Sequence, residues 1–201
     1  MTNSIIILDH PYTLISKDNV PHRRSFSAAI CHALIEANQK QGFNVNIIDL
    51  HADHFDPVMH ADDLTNWRLN RQLSPQIDAY NEQLKMADNV FIVFPIWWGS
   101  MPAMMQGFFD KVLRKSDFLN FHNQTPLFQP HTKVFVYTVS GAPTDVYVNK
   151  LKQPILPLLT VNTFYKLGVA NDNYHWQNIN AEDISEQKRQ IVLTTILNNK
   201  F

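Results

Sequence analysis

Apolar and polar positions alternate between two periods along this chain, and the switches mark its elements. "SIIILDH" (4–10) is a continuous apolar run that ends in polar residues, the pattern of a strand buried on both faces. "RRSFSAAICHALIEANQKQG" then repeats apolar residues at helical spacing through Phe26, Ile30, Ala33, Leu34 and Ala37, and Gly42 is a natural stop. "FNVNIIDL" (43–50) predicts a second strand, and residues 51–74 read as a long polar connection. "SPQIDAYNEQLKMAD" opens a helix with Ser74 as N-cap and Pro75 in the first turn. "NVFIVFP" (89–95) and "TKVFVYTV" (132–139) predict strands three and four, with a helix from Pro102 through Val112 between them. An irregular helix is expected around 154–167 because of Pro154 and Pro157, and a weaker fifth strand within "GVANDNYHW" (168–176). "AEDISEQKRQIVLTTIL" predicts a C-terminal helix, with Asp183 and Glu186 near its positive end.

Strands and helices therefore alternate from end to end. Buried strands separated by amphipathic helices imply an α/β fold, a parallel sheet covered on both faces as a three-layer sandwich. No domain boundary interrupts the pattern, so residues 1–201 are expected to form a single domain. Five strands favour the flavodoxin-like order 2-1-3-4-5, whose ligand crevice lies beyond the carboxyl ends of strands 1, 3 and 4.

Composition narrows the function. With 45% hydrophobic residues, 201 residues suffice for a full core. A net charge of -1 offers no field for nucleic acid or an anionic membrane. No run approaches the roughly 18 apolar residues of a membrane span. The start "MTNSIIILDH" lacks the basic flank of a signal peptide, and the single cysteine, Cys31, rules out an intrachain disulfide; both fit the cytoplasm. Neither a Gly-x-Gly-x-x-Gly turn nor a Walker A lysine is present, which argues against a Rossmann dinucleotide domain and a P-loop ATPase.

The unusual feature is "PIWWG", where two tryptophans stand on the turn after strand 3. The crevice rule brings this turn together with the loops "DHPYTLISKDNVPHRRS" and "SGAPTDVY". A planar ring can lie against the aromatic turn and take hydrogen bonds from its amides, while the start of the first helix can hold phosphate. A flavin nucleotide needs both. The same tryptophans also suit core or interface anchors, and the pattern alone leaves the two readings open.

These residues resemble the flavodoxin-like NAD(P)H:quinone oxidoreductases, which include the DT-diaphorase type, the modulator of drug activity B type and the ancillary flavoproteins of potassium efflux systems. The resemblance runs over most of the chain and is most specific at "LSPQI…LKMADNVFIVFPIWWGSMPAMMQGFFDKVL". It implies that Pro95, Ile96, Trp97, Trp98 and Gly99 lie along the flavin ring, with Ser140, Gly141 and Ala142 on the other ring-contacting loop. Tyr147 is implied as the catalytic tyrosine facing the substrate side of the ring. His10, Ser25, Phe26 and Ser27 are implied at the phosphate end; "HPYTLISKDN" makes Ser16 and Asn19 rival phosphate ligands. The chain departs from the family where Ser27 replaces an asparagine, where "VSGA" replaces a Thr-Thr-Gly-Gly turn, and where a histidine beyond Tyr147 is missing.

The implied activity is two-electron transfer from NAD(P)H through FAD or FMN to a quinone, by ping-pong kinetics at one shared site, in a homodimer. The Ser-Phe segment leans to FAD. Other functions compatible with this reading are an ancillary regulatory flavoprotein of a potassium efflux system, an azo- or nitro-reductase, and a flavodoxin-type electron carrier, the last disfavoured by charge and length. His51, Asp53, His54, Asp56 and His60 share one loop, but without a recognisable fourth-ligand pattern a polar loop is the better reading than a metal site. Asp110 and Lys111 are expected to form a surface or interface pair.

Overall fold

The computed structural model describes residues 1–18, 24–119, 125–182 and 184–201. Asn19 and Asp183 lie outside these described residues. Five parallel strands form one sheet in the order β2-β1-β3-β4-β5, with β1 Asn3–Leu8, β2 Asn44–Asp49, β3 Asn89–Pro95, β4 Lys133–Ser140 and β5 Tyr174–Asn180. Side chains on a strand alternate between faces, so each apolar run feeds two cores. Ile5, Ile7, Val90, Ile92, Phe94, Val134 and Val136 point to one face, where Tyr80, Leu84, Met105 and Phe108 cover them. Ile6, Leu8, Phe91, Val93, Phe135 and Tyr137 point to the other, beneath Ile30, Leu34 and Ile196. Each fully buried Leu or Ile in these layers contributes about 1.5–3 kcal/mol.

The helices are α1 Phe26–Lys40, α2 Ala61–Arg68, α3 Pro75–Lys85, α4 Ala103–Val112, α5 Ile155–Pro157 and α6 Glu186–Leu197. Ser25 and Ser74 cap α1 and α3 by accepting the amides of Ala28 (3.1 Å) and Ile77 (3.2 Å). Gly42, at φ +76°, ends α1 with a paired closure: its amide reaches Gln39 O (3.0 Å) and that of Phe43 reaches Asn38 O (3.1 Å). Inside, Ser4 Oγ donates to Asn38 Oδ1 (2.7 Å), fastening β1 to α1.

The structure corrects three expectations. The connection 51–74 contains α2, none of whose residues is buried, so it carries no apolar stripe. It is held from its ends: a reciprocal pairing of His60 with Asp63 caps it, and Trp67 Nε1 donates to Leu113 O (2.9 Å). The fifth strand is shifted toward the C-terminus, because "YHWQNIN" is an edge strand paired on one side only and has no need of a continuous apolar run. The irregular helix expected around 154–167 is present: after α5 the chain widens into a π-helical segment, Leu158–Phe164, past Pro157. Lys111 is not a surface residue. It is buried on α4, with its ammonium 3.2 Å from Asp56, 3.0 Å from Asp63 and 2.9 Å from Val58 O, while Asp110 accepts from Gln106.

Candidate functional site

The sheet order reverses direction between β1 and β3, and the loops after β1, β3 and β4 meet there. After β3, Ile96 is fixed by its amide to Val139 O (2.7 Å). The next residues close a two-residue turn: Trp97 N donates to Ser100 O (2.9 Å) and Ser100 N returns to Trp97 O (3.0 Å). Trp98 (φ +53°) and Gly99 (φ +79°) form its tip, the left-handed pair of a type I′ turn. Their amides donate to no group among the described residues. Trp97 is 45% exposed and Trp98 is 104% exposed, so the Trp98 indole packs on none of the described residues.

The loop after β4 is tied to this turn by one side chain. Tyr147 is 1% exposed, lies 6.2 Å ring to ring from Trp176, and donates its hydroxyl to Gly99 O (3.2 Å). Burial pushes its phenol up, opposed in part by the Ile155 amide, so it stays a neutral donor. Ser140 Oγ donates to Ala142 O (2.7 Å) and accepts from Asn178 Nδ2 (2.9 Å). Asn178 also accepts from Thr138 Oγ1 (2.9 Å) and donates to Thr144 Oγ1 (3.2 Å). A Cβ on Gly141 would lie 2.7–2.8 Å from the Glu182 carboxyl group, so an acidic side chain rests against this loop.

On the β1 side, His10 is half-buried; its Nδ1 accepts the Tyr12 amide (3.2 Å), which places the imidazole proton on Nε2. Burial first, then the nearby His51, lowers its pKa against the opposing Asp49, so it sits neutral. Ser16 donates to Tyr12 O, and its own carbonyl accepts the Ser25 amide (3.3 Å). Ser25 uses its oxygen to cap α1 and keeps its O–H available as a donor. Ser27 is buried in α1. Phe26 lies under the Arg189 guanidinium (5.6 Å), beside a cavity of about 350 Å³ lined by Lys17, Arg24, Ser25, Phe26, Glu186 and Arg189.

The structure thus gathers the expected residues in two groups. Pro95–Gly99, Ser140–Ala142 and Tyr147 form one; His10, Ser16 and Ser25–Ser27 form the other. Sequence reasoning missed Arg189, Asn178, and the pair made by Asp9 and His51. Asp9 follows the apolar run directly and reads as a strand end, but it is completely buried: Oδ2 accepts the Met105 amide (2.7 Å) and Oδ1 pairs with His51 Nε2 (3.0 Å). Among the described residues no three His, Cys, Asp or Glu side chains converge as a metal cluster would.

Residues 13–192 match the family described as having the flavodoxin-like fold. The chain belongs to that flavodoxin-like family. It is similar to an uncharacterized NAD(P)H oxidoreductase, YcaK, of Escherichia coli K12, at 32% identity over 93 residues, 46% of this chain and 47% of that protein. It is also similar to NAD(P)H dehydrogenase [quinone] 1 of Rattus norvegicus, at 33% identity over 107 residues, 45% and 39% respectively. The chain spans half or less of the length of these two relatives. Among solved structures, an NAD(P)H:quinone oxidoreductase from Methanothermobacter marburgensis superposes with a TM-score of 0.77, 17% identity and 98% and 95% coverage. An FMN-dependent NADH-azoreductase from Bacillus anthracis, in complex with FMN, superposes at 0.68, with 16% identity and 98% and 96% coverage. The shared flavodoxin-like fold puts the turn 97–100 where such folds open their crevice.

Proposed function

We propose that this flavodoxin-like chain is a flavin-dependent NAD(P)H:quinone oxidoreductase. The observation that carries the reading is the Trp97–Ser100 turn at the crevice, with two unengaged amides at its tip and Tyr147 bracing its carbonyl from the β4 loop. A flat heterocycle with polar edges matches an aromatic wall that also offers N–H donors. A bound flavin supplies the two-electron chemistry between a nicotinamide and a quinone. The residues supply position and electrostatics. Pro95 and Ile96 set the wall, and the Trp98 and Gly99 amides present donors to a ring edge that gains negative charge on reduction. Ser140, Gly141 and Ala142 bound the other side of the slot, from which the exposed Glu182 carboxyl has to swing away. Tyr147 is placed to hold the turn through Gly99. At the far end, Ser25 O–H, neutral His10, Ser16 and the amides opening α1 suit phosphate.

FAD is proposed over FMN, because Arg24 and Arg189 and the Phe26 face extend the polar end into a further cavity suited to a second phosphate and an aromatic base. One slot serving both co-substrates gives ping-pong kinetics. A homodimer is proposed through the outer face of α4, where an apolar cavity of about 390 Å³ is lined by Trp67, Phe109, Leu113 and Leu158 among others. No helix among the described residues is long and apolar enough to cross a membrane, and the cytoplasm is the proposed location.

The test is to incubate the purified chain with FAD or FMN, desalt it and record its absorption, then measure NADH- and NADPH-dependent reduction of menadione. Retained flavin bands and turnover are expected, with FAD the better retained. A colourless protein without turnover would overturn the reading.

A further inference from the structure

We infer that Asp9 is a positioning residue of the crevice: from the end of β1, its buried carboxylate caps α4 and so holds the exit of the Trp97–Ser100 turn. The functional part of this inference rests on the flavin reading above. The geometry begins with a deficiency in α4. The first amides of a helix have no partner within it and take one from an N-cap side chain. Here the N-cap is Pro102, which has no acceptor, and the first turn of α4 contains no acidic residue. Met105 is the third residue of that helix, and the acceptor of its amide comes from another element: Asp9 Oδ2 at 2.7 Å.

The carboxylate is at 0% exposure, where an apolar side chain would fill the space without desolvating a charge. Its specific contribution is therefore the bonds it makes, and each has a direction. Toward α4 it places negative charge at the positive end of the helix dipole. Toward β2 it pairs with His51 Nε2 at 3.0 Å. Asp49, on the same side, uses its two oxygens to hold the amides of Leu14 (2.7 Å) and Ala52 (3.2 Å), and thereby the loop after β1. Asp9 is thus the point where the loops after β1, β2 and β3 are fastened together, with His10, His51 and Asp49 as its titratable neighbours. Between Ser100 and the capped turn stand only the buried Met101 and Pro102, so a shift at the start of α4 moves the turn with it.

The experiment uses the full chain and the variants Asp9→Ala and Asp9→Asn. Amide hydrogen exchange of residues 96–106 is measured without ligand, and binding of FAD and FMN is titrated by flavin fluorescence. Loss of a charge-bearing cap predicts exchange of this segment about tenfold faster in Asp9→Ala, and flavin affinity weaker by about the same factor. Asn keeps an oxygen for the Met105 amide, so Asp9→Asn should stay within about threefold of the parent in both. Unchanged exchange in a folded Asp9→Ala, or Asp9→Asn as impaired as Asp9→Ala, would overturn the inference. If Asp9→Ala does not fold, Asp9→Ala/Pro102→Ser gives α4 a local cap: recovery of fold and slow exchange supports the assignment, and failure to recover overturns it. If the parent chain binds neither flavin, the flavin reading fails, and the exchange data still decide what Asp9 holds.

Discussion

Replacing Trp98 by glycine should leave the fold as stable as before, or more so, while impairing the crevice. The residue sits at φ +53°, in the left-handed region, and its side chain is 104% exposed. The left-handed conformation costs a non-glycine residue about 1–2 kcal/mol. Glycine avoids that strain but gains unfolded-state entropy worth about 0.4–1 kcal/mol. With no packing to lose, Trp98→Gly should gain about 0–1.5 kcal/mol. For a chain of this size that corresponds to a rise of up to about 5 °C in Tm. Trp98→Asn, which tolerates the same backbone without glycine's entropy, should do at least as well. Urea and thermal unfolding of both variants measure this directly. If the indole stacks on bound co-substrate, the KM for menadione should meanwhile rise about two- to tenfold, the range expected for one aromatic contact. A loss of more than about 1 kcal/mol would show that the indole is packed, for instance against a second subunit, and would refute the strain argument. Neutral stability with unchanged kinetics would remove Trp98 from the slot.

Gly107→Ala should destabilise by about 3 kcal/mol or more, above the usual range for overpacking, because its Cβ would overlap the Pro57 backbone and ring rather than a flexible side chain; the urea midpoint checks it. Tyr147→Phe removes the donor to Gly99 O and should cost about 0.5–1.5 kcal/mol, with weaker flavin retention after desalting. Burial raises the Asp9 carboxyl above its ordinary value of 3.8, against the opposing Met105 amide and His51, so the folded chain holds this proton more tightly than the unfolded chain. The stability this adds is complete below pH 3.8 and is lost as pH rises through the folded value. The stability of the parent relative to Asp9→Asn should therefore fall as pH rises across that window, and denaturant titrations at stepped pH would show a flat difference if the proton is not held.

The pattern of the chain by itself determined the layers of this protein. β1, β3 and β4 must be hydrophobic on both faces because helices cover both, so they appear as short, nearly continuous apolar runs. The start of α3 was equally legible, since Ser74 caps it locally through a bond that spans three residues. The position of the crevice followed from the strand order, and with it the placing of "PIWWG" and "SGA" on facing loops. The remainder was decided by contacts distant in sequence. α2 has no buried face, so its stability comes from caps and from Trp67 reaching Leu113. β5 is polar because its needs are met by backbone pairing with β4 along a single edge. Lys111 reads as a surface charge until Asp56 and Asp63, from the loop after β2 and from α2, close over it. Asp9 reads as the polar end of a strand, yet its acceptor role depends on Met105, 96 positions away. Local periodicity records which face of an element is buried; it holds no record of which distant polar group arrives there, because that partner is chosen by how the layers stack.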